Sequence, residues 1–192
     1  MKIAIISTSP RKKSNSYRVA LAIARILAQK GFAEAVVTTF ENYDFPMVGD
    51  GDLQADQLSP FQSQLIKVWE EAQLIILIAP EYNWVTSGEV INAIHQLGNK
   101  QFGHLFHEKV FALCGVSNGR GGRQPALLLT TLVNKMISFL NKDSVVSPRI
   151  YESHETDHQV DEEGNLIGNE IYQKTLGAFV DYSLKVGQRW FR

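Results

Sequence analysis

The chain has 192 residues, of which 44% are hydrophobic and 20% charged, and its formal net charge is −1 at pH 7. This length and composition are typical of a single globular domain, which we expect to span residues 1–192. The balanced charge disfavours nucleic-acid binding, because phosphate backbones are bound by clustered Lys and Arg. Cys114 is the only cysteine, which excludes an intramolecular disulfide and a cysteine-based zinc site.

Neither export nor membrane insertion is indicated. The apolar run at residues 3–6 is too short for a signal peptide. The longest apolar run, residues 74–80, is far below the about 20 residues that a membrane helix needs. We therefore expect a cytoplasmic protein with no membrane partner, and a single cysteine fits a reducing compartment.

Five segments are predicted to form strands. Residues 3–6, 74–79, 110–116 and, more weakly, 145–146 are short apolar runs without alternation, and residues 35–40 also have strand character. Uninterrupted apolar runs of this kind are typical of parallel strands that helices cover on both faces.

Segments with helical period lie between these strands. Apolar residues recur along one face from Val19 to Leu27, and again from Val90 to Leu97. Gly31 is predicted to end the first helix, and other helices follow the later strands. The alternation predicts an α/β fold, a flavodoxin-like doubly wound five-stranded parallel sheet of order 2-1-3-4-5 with helices on both faces.

Two segments have no regular period. Residues 41–57 are predicted to form a long surface loop, which carries function or contacts a partner. Residues 152–169 form a polar connection between the last strand and the last helix, and the sequence leaves their role open.

The first group of candidate site residues leaves the first strand and enters the first helix. It contains the hydroxyls of Ser9, Ser14 and Ser16, the amide of Asn15 and the guanidinium of Arg11. A helix N-terminus with such donors favours a phosphate. Simple helix capping by Ser14 or Ser16 is the alternative. The Walker A and G-x-G-x-x-G patterns are missing, which disfavours nucleoside triphosphate chemistry.

Two further groups follow the third and fourth strands. Residues 80–84 place Tyr82 and Trp84 beside polar groups, which suits a flat ligand, although these aromatics could simply cover the edge of the core. Residues 117–123 contain three glycines, which allow close backbone approach to a ligand or merely form a flexible turn. In the predicted sheet all three groups meet at the carboxyl ends of the strands, which indicates a site for one phosphate and one flat ring.

These residues resemble the NAD(P)H-dependent FMN reductase family of the flavodoxin-like superfamily, over about residues 1–140. The family's G-S-x-R-x-x-S loop is similar to residues 8–14, its P-E-Y-N is present at residues 80–83, and its Gly-rich loop resembles residues 117–123. The chain departs from the pattern at Thr8, where the family usually has Gly, and at Trp84 and Val85, where smaller residues are frequent. The second departure is expected to narrow the space beside the ring and thereby to affect the substrate range.

The resemblance implies an FMN-binding oxidoreductase that uses NADPH or NADH and reduces a small-molecule acceptor, with a homodimer or dimer of dimers as its assembly. The phosphate is implied to lie against Ser9, Arg11, Ser14, Asn15 and Ser16. The isoalloxazine is implied to lie between Pro80, Tyr82, Asn83, Ser117, Gly119 and Gly122.

Further expectations concern charge stabilisation, Glu81, acid–base catalysis, metal binding and Cys114. Backbone N–H groups near Gly121 and Gly122 are candidates to stabilise charge on the reduced flavin. Glu81 belongs to the same edge, in a structural role that caps backbone N–H groups or pairs with a partner's cation. No acid–base residue is predicted, because hydride transfer to a flavin does not require a general base. No metal site is predicted either, because the pair His104 and His107 has no cysteine and no carboxylate pair nearby. Cys114 is predicted to be buried in a central strand and to take no part in the chemistry.

Alternatives to free FMN as acceptor are a quinone, an azo compound or a nitroaromatic compound. A flavodoxin-type electron carrier is another hypothesis, although the near-neutral charge and Arg11 count against it. A non-enzymatic nucleotide-binding interaction protein is the last alternative, and it would be colourless when purified.

Overall fold

A parallel sheet forms the centre of the molecule in the computed structural model, which describes residues 1–192. Its strands are β1 (Ile3–Ser7), β2 (Val36–Thr39), β3 (Leu74–Pro80), β4 (Lys109–Val116), β5 (Ser144–Val146) and β6 (Tyr151–Ser153). Their order is β2-β1-β3-β4-β5, and β6 also pairs with β4. Every pairing is parallel. The predicted order 2-1-3-4-5 is confirmed, so winding reverses between β1 and β3.

The helices are α1 (Asn15–Gln29), α2 (Pro60–Glu71), α3 (Gly88–Leu97), α4 (Arg123–Phe139), the short α5 (Thr156–Gln159) and α6 (Glu170–Trp190), with a 3-10 turn at Gly103–Phe106. Gly31 follows α1 with φ 88°, a conformation that glycine adopts without strain, and the predicted helix end is confirmed. None of the helices has the length and the apolar character that crossing a membrane requires.

Two apolar layers cover the sheet. Alternate residues of the strands point to opposite faces, so Ile75 and Leu77 pack against α2, α3 and α4, whereas Ile76 and Ile78 pack against α1 and α6. The two layers contain 26 and 21 buried residues, which confirms helices on both faces. This support fixes the ends of β1, β3 and β4, which carry the predicted site.

The fifth sheet position differs from the prediction of one strand at residues 145–146. Two three-residue strands share this edge: β5 pairs with the first half of β4, and β6 pairs with its second half. Pro148 lies between them and has no N–H group to donate to a ladder. The edge strand is therefore interrupted rather than continuous.

The loop at residues 41–57 is less exposed than predicted. Phe45 and Leu53 are buried in the core, with 5% and 2% of their surfaces exposed. Two polar side chains of α3 satisfy the loop's backbone: Asn92 accepts from Val48 N at 2.8 Å, and Gln96 accepts from Leu53 N at 2.9 Å. The prediction of a surface loop was therefore wrong for these two residues, because α3 supplies the missing hydrogen bonds.

Candidate functional site

A cleft of about 350 Å³ opens at the carboxyl ends of β1, β3 and β4. All three predicted groups of residues contribute to it. Asn83, Gly121 and Gly122 are the predicted residues that do not line it. Its lining consists of Ser9, Arg11, Lys12, Lys13, Ser14, Asn15, Ser16, Pro80, Glu81, Tyr82, Val116, Ser117, Asn118 and Gly119.

The N-terminus of α1 forms one end of the cleft. Ser14 is the N-cap, and its hydroxyl accepts a hydrogen bond from Tyr17 N at 3.1 Å. Ser16 lines the cleft, is 1% exposed, and its hydroxyl has no hydrogen-bond partner. An unpaired buried hydroxyl is unfavourable, and an anion at this helix end would pair it. Capping therefore explains Ser14 but leaves Ser16 available to a ligand.

Arg11 and Tyr82 connect the first two groups of site residues. The Arg11 guanidinium lies 4.6 Å from the centroid of the Tyr82 ring, a cation–π contact. The hydroxyls of Ser9 and Tyr82 are 3.4 Å apart. Tyr82 thus forms a wall of the cleft instead of only covering the core edge, and it places the cationic side chain beside the α1 N-terminus.

A tight turn follows Tyr82. Tyr82 N donates to Val85 O at 2.7 Å and Val85 N donates to Tyr82 O at 3.1 Å, so only Asn83 and Trp84 form the turn. Both have positive φ, 50° and 70°, which is rare and strained for tryptophan. The Trp84 side chain is 78% exposed and lines a neighbouring cleft with Arg120.

Glu81 connects the second group to the Gly-rich loop. Its carboxylate accepts a hydrogen bond from Gly122 N, and the Ser117 hydroxyl donates to it at 3.5 Å. The structure therefore shows the backbone cap predicted for Glu81. The Gly122 N–H group, predicted as a candidate to stabilise charge on the flavin, donates to this carboxylate. Gly122 has φ 100°, which favours glycine at this position.

Four residues that line the cleft were not among the predicted site residues: Lys12, Lys13, Val116 and Asn118. Lys12 and Lys13 line it beside Arg11, and Asn118 accepts a hydrogen bond from the Asn15 side chain at 2.7 Å. The two lysines adjoin the predicted residues and add positive charge, and this charge beside Arg11 was the sequence signal that could have identified them. Nothing in the sequence indicated the contact between Asn15 and Asn118, because it joins the first residue of α1 to a loop 103 residues later.

The departure at Thr8 does not disturb the first loop. Thr8 is buried and has no positive φ, so this turn does not require glycine. Its hydroxyl donates to Ile78 O at 3.1 Å, and Ser87 donates to Thr8 O at 3.2 Å. Thr8 therefore joins β1 to the end of β3 and to the start of α3.

The groups predicted to be inert lie away from the cleft. Cys114 is fully buried in β4, and burial raises the pKa of its thiol far above its ordinary value, which keeps the thiol protonated. The His104 ring contacts Gln101 O at 3.1 Å and Glu70 at 3.6 Å. No cluster of three or more His, Cys, Asp or Glu side chains is arranged to hold a metal ion.

Comparison with known families identifies the chain. Residues 1–148 match the family model described as NADPH-dependent FMN reductase. The chain belongs to this family. As a member of the NADPH-dependent FMN reductases, it is an NAD(P)H-dependent flavin oxidoreductase, and the family named on its sequence motifs is confirmed. No curated protein matches the chain significantly.

Solved structures share the fold at low sequence identity. FerB, a flavoenzyme NAD(P)H:(acceptor) oxidoreductase from Paracoccus denitrificans, has a TM-score of 0.73 at 18% identity, covering 98% of both chains. The apo form of an NADH:FMN oxidoreductase, EmoB, has a TM-score of 0.62 at 15% identity, covering 96% of this chain and 89% of that chain. An archaeal flavodoxin has a TM-score of 0.52 at 11% identity, covering 99% of both. These likenesses confirm the flavodoxin-like fold.

Proposed function

We propose that this FMN reductase family member binds FMN in the cleft at the ends of β1, β3 and β4, and reduces a small-molecule acceptor with NADPH or NADH. The observation that carries the proposal is the unpartnered, buried hydroxyl of Ser16 at the α1 N-terminus, in a cleft that also contains Arg11 and Tyr82. A phosphate there gains a hydroxyl, backbone N–H groups and a guanidinium together. The residues present therefore fit the cofactor that the family implies.

Each wall of the cleft has its own task in this proposal. Ser9, Arg11, Ser14, Asn15 and Ser16 bind the phosphate, while Tyr82 and the Ser117–Gly119 segment lie along the ring. When bound, FMN would carry a hydride from the nicotinamide to the acceptor. The chain orients the two reactants, and the proposal assigns no acid–base residue.

The acceptor is proposed only by class. Free FMN, a quinone, an azo compound and a nitroaromatic compound are all flat and accept electrons from a reduced flavin. The strained, exposed Trp84 stands beside the cleft and supports a flat acceptor, because an aromatic side chain can stack against one. We place this activity in the cytoplasm, where a lone buried cysteine stays reduced.

We also propose a homodimer. Large apolar side chains are exposed on the loop that packs on α3, on the turn that enters α3, and on neighbouring α4: Met47, Val48, Trp84, Val85, Leu127 and Leu128. A second copy related by a twofold axis would cover these residues.

Light scattering at micromolar concentration should show a dimer, and the double substitution Val48→Glu with Leu127→Glu should weaken that dimer. Ile171→Glu, at a residue that is 74% exposed on α6, is the control, and a fully active monomer would contradict the proposal.

Spectroscopy of the purified protein tests the proposed cofactor. We expect a flavin absorbance spectrum, or its appearance when FMN is added to the apoprotein. At 100 times its dissociation constant, FMN should stabilise the fold by about 2.7 kcal/mol, whereas AMP, which has a phosphate but no flavin, should do much less. Equal stabilisation by FMN and AMP would support the nucleotide-binding alternative. Flavin binding without oxidation of NADPH or NADH would support the electron carrier.

A further inference from the structure

A chain of buried hydroxyls runs from α6 to the floor of the cleft. Tyr172, Ser153 and Thr156 are 8%, 0% and 0% exposed. Their side-chain oxygens are 2.7 Å apart from Tyr172 to Ser153, and 2.6 Å apart from Ser153 to Thr156. Thr156 in turn reaches Ser117 O at 3.0 Å. We call these three side chains the hydroxyl chain, and all of them lie outside residues 1–148, which match the family model.

The direction of every donor in the hydroxyl chain follows from its last contact. Carbonyl oxygens only accept, so the Thr156 hydroxyl donates its proton, to Ser117 O at 3.0 Å as the shorter contact or to Ser153 O at 3.3 Å. With its one proton used, Thr156 accepts from Ser153, and Ser153 accepts from Tyr172. Each hydroxyl therefore donates toward the cleft, and every proton in the series has an acceptor. Hydrogen bonds that are aligned in series in this way strengthen one another in a buried environment.

Backbone contacts attach the same segment to the Gly-rich loop. Ser117 N donates to Ser153 O at 2.9 Å, and Glu155 N donates to Gly119 O at 2.9 Å. Glu155 has φ 45°, an unfavourable conformation for a residue other than glycine. The contacts around Glu155 must hold it in this strained conformation. One of these contacts is the hydrogen bond from Glu155 N to Gly119 O in the Gly-rich loop.

We propose that the hydroxyl chain positions the Ser117–Gly119 segment for the flavin, with Thr156 as its main positioning residue; this inference rests on the proposed function of the cleft. Ser117 lines the cleft, and its side chain caps Gly119 N at 3.2 Å and donates to Glu81. Fixing the Ser117 carbonyl therefore fixes the orientation of the peptide groups that face the ring. This gives the polar segment 152–169 a role that its sequence left open.

The test compares variants at Thr156. Thr156→Val keeps the shape and removes the hydroxyl, and it should weaken FMN binding about tenfold, the loss expected for one hydrogen bond of about 1.4 kcal/mol. Thr156→Ser retains the donor and should restore wild-type affinity. Thr130→Val is the matched control, because that hydroxyl bonds only to Ala126 O in its own helix. Dissociation constants are measured by flavin fluorescence well below each melting temperature.

A second readout needs no flavin. Amide hydrogen exchange of the Ser117–Gly119 segment in the apoprotein should be faster in Thr156→Val than in the wild type, and unchanged in Thr130→Val. Should Thr156→Val fail to fold, Tyr172→Phe removes only the distal hydroxyl and should show a smaller loss of the same kind.

The outcomes separate this inference from the proposed function. If the wild type binds FMN and Thr156→Val binds it equally well, with a lower melting temperature alone, the hydroxyl chain is only structural and the inference is overturned. If the wild type does not bind FMN, the proposed function fails, and the exchange measurement still decides whether the hydroxyl chain fixes the loop.

Discussion

Replacing Gly121 with alanine tests the contact between Glu81 and the Gly-rich loop. A Cβ atom on Gly121 would overlap the Glu81 carboxylate, which would have to leave Gly122 N and Ser117. Losing a hydrogen bond to a charged group costs about 1.5–3 kcal/mol, and the lower entropy of the unfolded chain returns about 0.4–1 kcal/mol. We therefore expect Gly121→Ala to lower the free energy of unfolding by about 0.5–2.6 kcal/mol.

Urea unfolding of the flavin-free protein measures this change. Gly119→Ala is the matched control, because a Cβ atom there would meet no atom within 4 Å, and this variant should be as stable as the wild type or slightly more so. In a Glu81→Ala background, Gly121→Ala should no longer destabilise, since the displaced carboxylate is absent. Equal stabilities of Gly121→Ala and Gly119→Ala would refute the reasoning, as would additive effects in the double variant.

Three other perturbations have defined outcomes. Arg11→Ala should weaken FMN binding by roughly 1.5–3 kcal/mol in a fluorescence titration, and an unchanged affinity would exclude a phosphate contact. Cys114→Ser should keep its turnover per bound flavin while losing about 1–3 kcal/mol of stability to a buried hydroxyl, whereas a hundredfold fall in turnover would reveal a thiol step. Burial raises the pKa of Tyr43 from 10.0 to about 12, so its stabilising effect is complete below pH 10 and is lost as the pH rises toward 12. Urea unfolding between pH 8 and 12 should show a smaller decline for Tyr43→Phe than for the wild type.

The central strands were predictable because strands buried on both faces consist of uninterrupted apolar residues. Residues 74–79 and 110–116 lie between two helical layers, so every position is apolar. Strand β6 was not predictable in the same way, since Tyr151, Glu152 and Ser153 have mixed polarity and pair only because β4 extends beyond β5. The burial of Phe45 and Leu53 was missed for a similar reason, because it depends on hydrogen bonds from a helix about 40 residues later.

The candidate site was predictable in outline but not in its internal contacts. The fold places the ends of β1, β3 and β4 at one edge, so residues that follow these strands must meet. The sequence does not say which of them bind one another. The cation–π contact of Arg11 with Tyr82 and the capping of Gly122 by Glu81 both depend on side-chain directions that only the folded chain defines.

The interruption between β5 and β6 also affects how the protein can aggregate. Edge strands present unpaired backbone groups that can template the addition of a strand from another molecule. Here that edge consists of two three-residue strands separated by a segment that contains Pro148, so a foreign strand cannot pair along it without a break. The interruption thus protects this side of the sheet from edge-to-edge polymerisation and leaves β2 as the edge at which such growth could begin.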